Sequence, residues 1–188
     1  MLKFFKTHSY EIMRFFIMQV GIAIFAFVLT TAMDTIHKSA VLWVSILSIL
    51  FYLFLVYSVA WEVGAKDKLR IDAGRQERTS FKGALMMLYA QIPNYILGIL
   101  MVVGGACFAL GAAAVGARIF SIGYLIALLL ESMYVGVIGA IIVGKEAYLA
   151  VGIAFLVSTL LGLITAGIGY YLGSIGKGVI SMKSARKR

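Results

Sequence analysis

Unbroken apolar runs separated by short polar breaks set the pattern of this chain. Four of them, residues 15–33, 40–61, 81–103 and 147–173, approach or exceed the ~20 residues that a helix needs to cross a ~30 Å hydrocarbon layer. Their apolar positions are continuous, whereas a membrane β-barrel needs alternating strands of roughly 10 residues. The pattern predicts an all-α fold, a polytopic transmembrane helix bundle forming a single integral membrane domain over 1–188. A cleavable leader is the rival reading of the first run. That run is longer than the roughly 7–15 apolar residues of such a leader, and it ends in TTAMDT.

One hydrophilic stretch, Trp61–Gly83, interrupts the pattern and holds ten of the 25 charged side chains. Within it Glu62 and Lys66 are four apart, while Asp67 and Arg70, and Asp72 and Arg75, are three apart. That spacing lets the second span continue as a charged helix beyond the membrane. Gly74 is suited to end it, and Ser80 to cap the next helix. Trp43 and Trp61, near the two ends of the second span, suit interfacial anchors.

The third run is broken by Pro93, flanked by Gln91 and Asn94. Proline deletes a backbone hydrogen bond and kinks a helix, and neighbouring polar groups can satisfy the freed carbonyl. Two readings stay open: a kinked span over 81–103, which is preferred, or a surface helix over 81–92 that turns inward at Pro93. Residues 104–117 are small and apolar. Residues 119–144 are apolar but split by Glu131 into arms of about 12 residues, each ~18 Å as helix and too short to cross alone.

Charge fixes the expected count of crossings. Of the 17 Lys and Arg, three lie in residues 1–14, six in the 62–82 loop and five in the tail after 174. Basic segments stay cytoplasmic, so these three share one side and the number of crossings is even. The expectation is four full spans plus one partial element over 119–144, re-entrant from outside or interfacial; the alternative is five spans. The N-terminus, the 62–80 loop and the C-terminus are then cytoplasmic, in a plasma membrane.

Composition agrees. The chain is 62% hydrophobic over 188 residues, with mean hydropathy +1.00. Its net charge of +9 sits between and after the spans, where it faces lipid headgroups, so nucleic acid is not an expected partner. The single Cys107 excludes an internal disulfide and reads as a packing residue.

Candidate chemistry is sparse. A carboxylate inside an apolar segment is costly, which makes Glu131 a candidate proton or cation site. It is open to pairing with Arg118 or Lys145; the plainer alternative is a hairpin tip in water. Gln91 and Asn94, beside the helix break at Pro93, are candidates to line a solute site, or to bond to a neighbouring helix through a partner such as Gln19. Small residues recur at every fourth position in Ser132, Gly136, Ala140 and Gly144, and in Thr165, Gly169 and Gly173. Such stripes bring helix backbones close, within the chain or between copies. Lys66, Lys68, Arg70, Arg75, Arg78 and Lys82 are expected to contact anionic lipid. His8 and His37 are isolated, and neither a metal-ligand set, a GxSxG nor a phosphate-binding glycine loop is present. No cofactor and no metal are expected.

The run WEVGAKDKLRIDAGR, followed by FKG, QIPN and then YYLGSIGKG near the end, resembles a group of uncharacterised small multi-pass membrane proteins of Gram-positive bacteria. The resemblance implies a bacterial cell-membrane protein and brings no activity with it. The leading expectation is a non-catalytic subunit of a homo- or hetero-oligomeric membrane assembly, partnered by lipid and by copies of itself or another membrane protein. The alternative is a small-solute or ion transporter using Glu131 and the Gln91–Asn94 break. A lipid-processing enzyme is disfavoured by the missing motifs.

Overall fold

The structure is a computed structural model that describes residues 2–34, 38–75, 77, 79, 81–142 and 147–177. The helices are α1 (Leu2–Thr7), α2 (Ser9–Asp34), α3 (Lys38–Asp72), α4 (Lys82–Ala90), α5 (Ile92–Ala109), α6 (Ala113–Leu130), α7 (Val135–Ile141) and α8 (Tyr148–Ser174), with a 3-10 turn at Ser132–Tyr134. Among the described residues, five stretches are long and apolar enough to cross a membrane: Ser9–Met33, Ala40–Asp72, Ile92–Ala109, Ala113–Leu130 and Tyr148–Ser174. Large apolar side chains such as Phe25, Leu47, Ile96 and Ile164 point outward from the bundle. A helix apolar on every face has lipid as its solvent. The chain is a membrane-spanning helix bundle.

The charged end of the second span is helix rather than loop. α3 has 35 residues and runs to Asp72. At 1.5 Å per residue it is ~52 Å long, well beyond the hydrocarbon thickness, so its last turns project from the membrane. Gly74 then adopts φ +67° and its N–H bonds to the Ile71 carbonyl, a left-handed stop that favours glycine. The 62–80 loop thus shrinks at its front, with 62–72 helical. Ser80 lies outside the described residues.

The third span is longer than 81–103 and is kinked, not cornered. α4 ends at Ala90, and α5 resumes after Gln91 with Pro93 in its first turn and Tyr95 N–H bonded to Gln91 O. Glycine contacts show that both pieces follow one path along α8. Gly105 abuts Leu149, Gly152 abuts Val102, Gly98 abuts Leu156, Gly162 abuts Gln91, and Gly83 abuts Tyr170. The two sides advance at the same rate in opposite directions, so α4 and α5 form one span from Lys82 to Ala109.

α6 turns back along α5, with Gly104 against Phe120, Gly116 against Phe108 and Gly123 against Met101. Extending that register puts Glu131 opposite Pro93, between Gln91 and Asn94. The chain reverses there. Ser132 Oγ donates to the Ala23 carbonyl on α2, and Gly136 N–H donates to Ser45 Oγ at 2.9 Å, near the start of α3. α7 therefore returns toward the end where α6 entered, and Ile138 and Ile142 rejoin Phe120 and Tyr124 in one cavity wall. The partial element is a re-entrant hairpin that starts at Ala113, earlier than the expected 119. Its first arm has the length of a span, yet its tip stops inside the bundle.

Candidate functional site

The hairpin tip meets the helix break. Gln91 and Glu131 are each almost fully buried, and so are Asn94, Gln19, Tyr52 and Tyr134. Gln91 Nε2 donates to the Tyr52 hydroxyl at 3.4 Å, and Tyr52 in turn donates to Gln19 Oε1 at 3.5 Å. Gln19 Nε2 donates to the carbonyl of Leu130, the residue before Glu131, at 3.2 Å. Glu131 and Tyr134 lie within electrostatic reach of Tyr52 and of each other. Asn94 follows Gln91 by three residues and so shares its helix face.

Depth follows from the helical rise. Gln91 lies nine residues beyond Lys82, or about 14 Å along the span. Arg118 pairs in register with the α5 turn near Gly104, about 20 Å beyond Gln91. The two charged levels are thus separated by roughly one hydrocarbon thickness, with the polar layer near its middle. The surface alternative for Glu131 is overturned: the residue is 2 % exposed. Arg118 is too far along α6 to pair with it, and Lys145 lies outside the described residues.

Six buried side-chain polar atoms lack a hydrogen-bond partner among the described residues, and five belong to this layer: Gln91 Oε1, Asn94 Oδ1 and Nδ2, Glu131 Oε1 and the Tyr134 hydroxyl. Such groups cost free energy and are rare in native proteins unless they serve a ligand or proton. No cation among the described residues forms an ion pair with Glu131. A cavity of about 290 Å³ lined by Thr30, Thr31, Leu128 and Ser132 opens one residue from Glu131.

A second charged cluster closes the other end. Asp67 and Lys82 pair at 2.6 Å with side chains 2 % and 5 % exposed, and Tyr170 donates to the same carboxylate oxygen at 2.8 Å. Asp67 thereby ties α3, α4 and α8 together. Arg14 joins α2 to Glu62 on α3 at 2.8 Å, and Lys66 shares that carboxylate. Burial first, and then the Lys82 charge, hold the His8 imidazole below its usual value.

The expected lipid-facing cations divide. Lys66 and Arg70 keep exposed side chains although each is ion-paired, Arg75 is exposed, and Lys68 pairs with Asp72, which was expected to pair with Arg75. Lys82 is buried and committed to Asp67, so it does not face headgroups. Arg78 lies outside the described residues.

The small-residue stripes serve packing within the chain. A Cβ at Gly169 or Gly173 would strike α3 backbone at Tyr57 or Trp61, and one at Gly136 would strike Val41 and Ser45. Ser132 bonds to α2, whereas Ala140 is exposed and Thr165 is half-buried, bonded to its own helix. Gly144 lies outside the described residues. Sequence reasoning missed Tyr52, Tyr134 and Tyr170, because a tyrosine in an apolar span reads as one more aromatic. No family model, curated protein or solved structure matches the chain.

Proposed function

We propose that this protein is a small membrane carrier whose transported or coupling species is a proton or small cation held at Glu131. One observation carries the reading: a carboxyl and two amides with unpartnered oxygens converge near mid-membrane, where a re-entrant tip faces a broken helix. Discontinuous helices meeting at the midplane are how carriers build ion sites. A buried carboxyl without a counter-charge either keeps its proton or takes up a cation. The buried Asp67–Lys82–Tyr170 cluster lies at the basic end, and the cavity beside Ser132 lies on the other side of the polar layer. The positive-inside rule makes the basic end cytoplasmic.

Proteoliposomes loaded with a pH dye, and separately with sodium or potassium reporters, test this under an imposed potential. Flux of one of these ions that falls at least tenfold in Glu131→Gln supports the carrier. Absence of all three fluxes from well-folded protein contradicts it.

The subunit reading has its own support in an apolar groove of about 440 Å³ between α4 and α8, lined by Phe81, Ala84, Ile164 and Ile168. A partner helix seated there would make the chain an assembly subunit. Crosslinking from Ile164→Cys to a second protein, together with silent proteoliposomes, selects that reading.

A further inference from the structure

We propose that the basic end of the bundle holds one anionic phospholipid, its phosphate among Arg14, Lys66 and Arg70 and one acyl chain along α2. Two adjoining cavities carry this. The first is polar, about 50 Å³, and lined by His8, Arg14, Lys66, Asp67, Arg70 and Lys82. The second is an apolar groove of about 330 Å³ along Tyr10, Met13, Ile17 and Met18. They share Tyr10 and Arg14, so a cationic seat opens directly onto a lipid-facing furrow.

The charge balance selects the headgroup. Arg14, Lys66, Arg70 and Lys82 are set against Glu11, Glu62 and Asp67, which leaves one positive charge before His8 is counted. Glu62 and Asp67 are each shared by two cations. Lys66 and Arg70 keep side chains 66 % and 63 % exposed, able to turn toward an added anion. A zwitterionic headgroup brings its own cation into this cluster and loses the advantage. The seat is small, which suits a phosphate and excludes a nucleotide. The furrow extends over two turns of α2, about 10 Å, on the outward stripe of Tyr10, Met13 and Ile17.

Native mass spectrometry of the full chain in detergent, titrated with dioleoyl phosphatidylglycerol, dioleoyl phosphatidylcholine or inorganic phosphate, tests the proposal. Phosphatidylglycerol binds at least tenfold tighter than phosphatidylcholine. Lys66→Gln with Arg70→Gln, both at exposed side chains, weakens it about 20-fold, since each surface charge is worth roughly fivefold. Ile17→Trp, which fills the furrow, weakens phosphatidylglycerol and leaves phosphate binding unchanged. Equal affinity for the two lipids, indifference to the double substitution, or phosphate binding as tight as the lipid overturns the proposal; the last would indicate a soluble-anion site.

Discussion

Lys82 Nζ lies 2.6 Å from Asp67 Oδ2, with both side chains almost wholly withdrawn from solvent. Fifteen residues separate them in sequence, and the glycine turn at Gly74 brings α4 back against α3. Removing one partner leaves the other charge buried, which costs about 3 kcal/mol. Asp67→Asn is therefore expected to lower stability by about that much in a denaturing-detergent titration. Adding Lys82→Met to Asp67→Asn recovers a large part of the loss, because no uncompensated charge remains.

Tyr52 is the hinge of the polar layer, accepting from Gln91 and donating to Gln19. Tyr52→Phe leaves two buried amides short of a partner. Thermal unfolding in detergent is expected to show a loss of about 2 kcal/mol. A neutral result would mean that the amides find other partners.

Gly173 and Thr165 lie on one sequence stripe but in different surroundings. A side chain at Gly173 meets the Trp61 carbonyl and Ala65 N–H, backbone atoms with little freedom to yield. Thr165 is half-buried, and its hydroxyl bonds to the Leu161 carbonyl one turn back. Gly173→Leu should cost about 3 kcal/mol through overpacking of α3 on α8. Thr165→Leu should stay within about 1 kcal/mol. Equal effects would return the stripe to an interface between copies.

Pro93 breaks the third span without diverting it. Pro93→Ala permits a continuous helix and rotates Gln91 relative to Asn94. Stability is expected to hold or rise by about 1 kcal/mol, while the Glu131-dependent flux falls at least tenfold. Unchanged flux would reduce the break to a packing feature.

Much of this architecture is legible in the sequence because lipid imposes simple rules. Apolar run length gave the helices, and Gly74 marked the end of α3. Glu131 marked the break that becomes the hairpin tip, although only the second arm, Ser132–Ile141, is too short to cross. The first arm was longer than expected because the glycines and alanines of 104–117 read as neutral filler. In the structure they form the tight α5–α6 turn, where Gly111 takes φ +93°. The site was half legible. Gln91, Asn94 and Glu131 stand out as polar residues in apolar runs, but the tyrosines that connect them do not. Nor does composition reveal that Lys82, one of six basic residues between 66 and 82, is buried. That depends on how far α3 extends before the chain turns.

The re-entrant hairpin is the central claim, and membrane-impermeant cysteine labelling tests it most directly. In a Cys107→Ser background, Ala112→Cys and Ala147→Cys are expected to react from the same face, with Gly74→Cys reacting from the opposite one. Reaction of Ala112→Cys and Ala147→Cys from opposite faces would make 113–142 a full crossing and contradict the account.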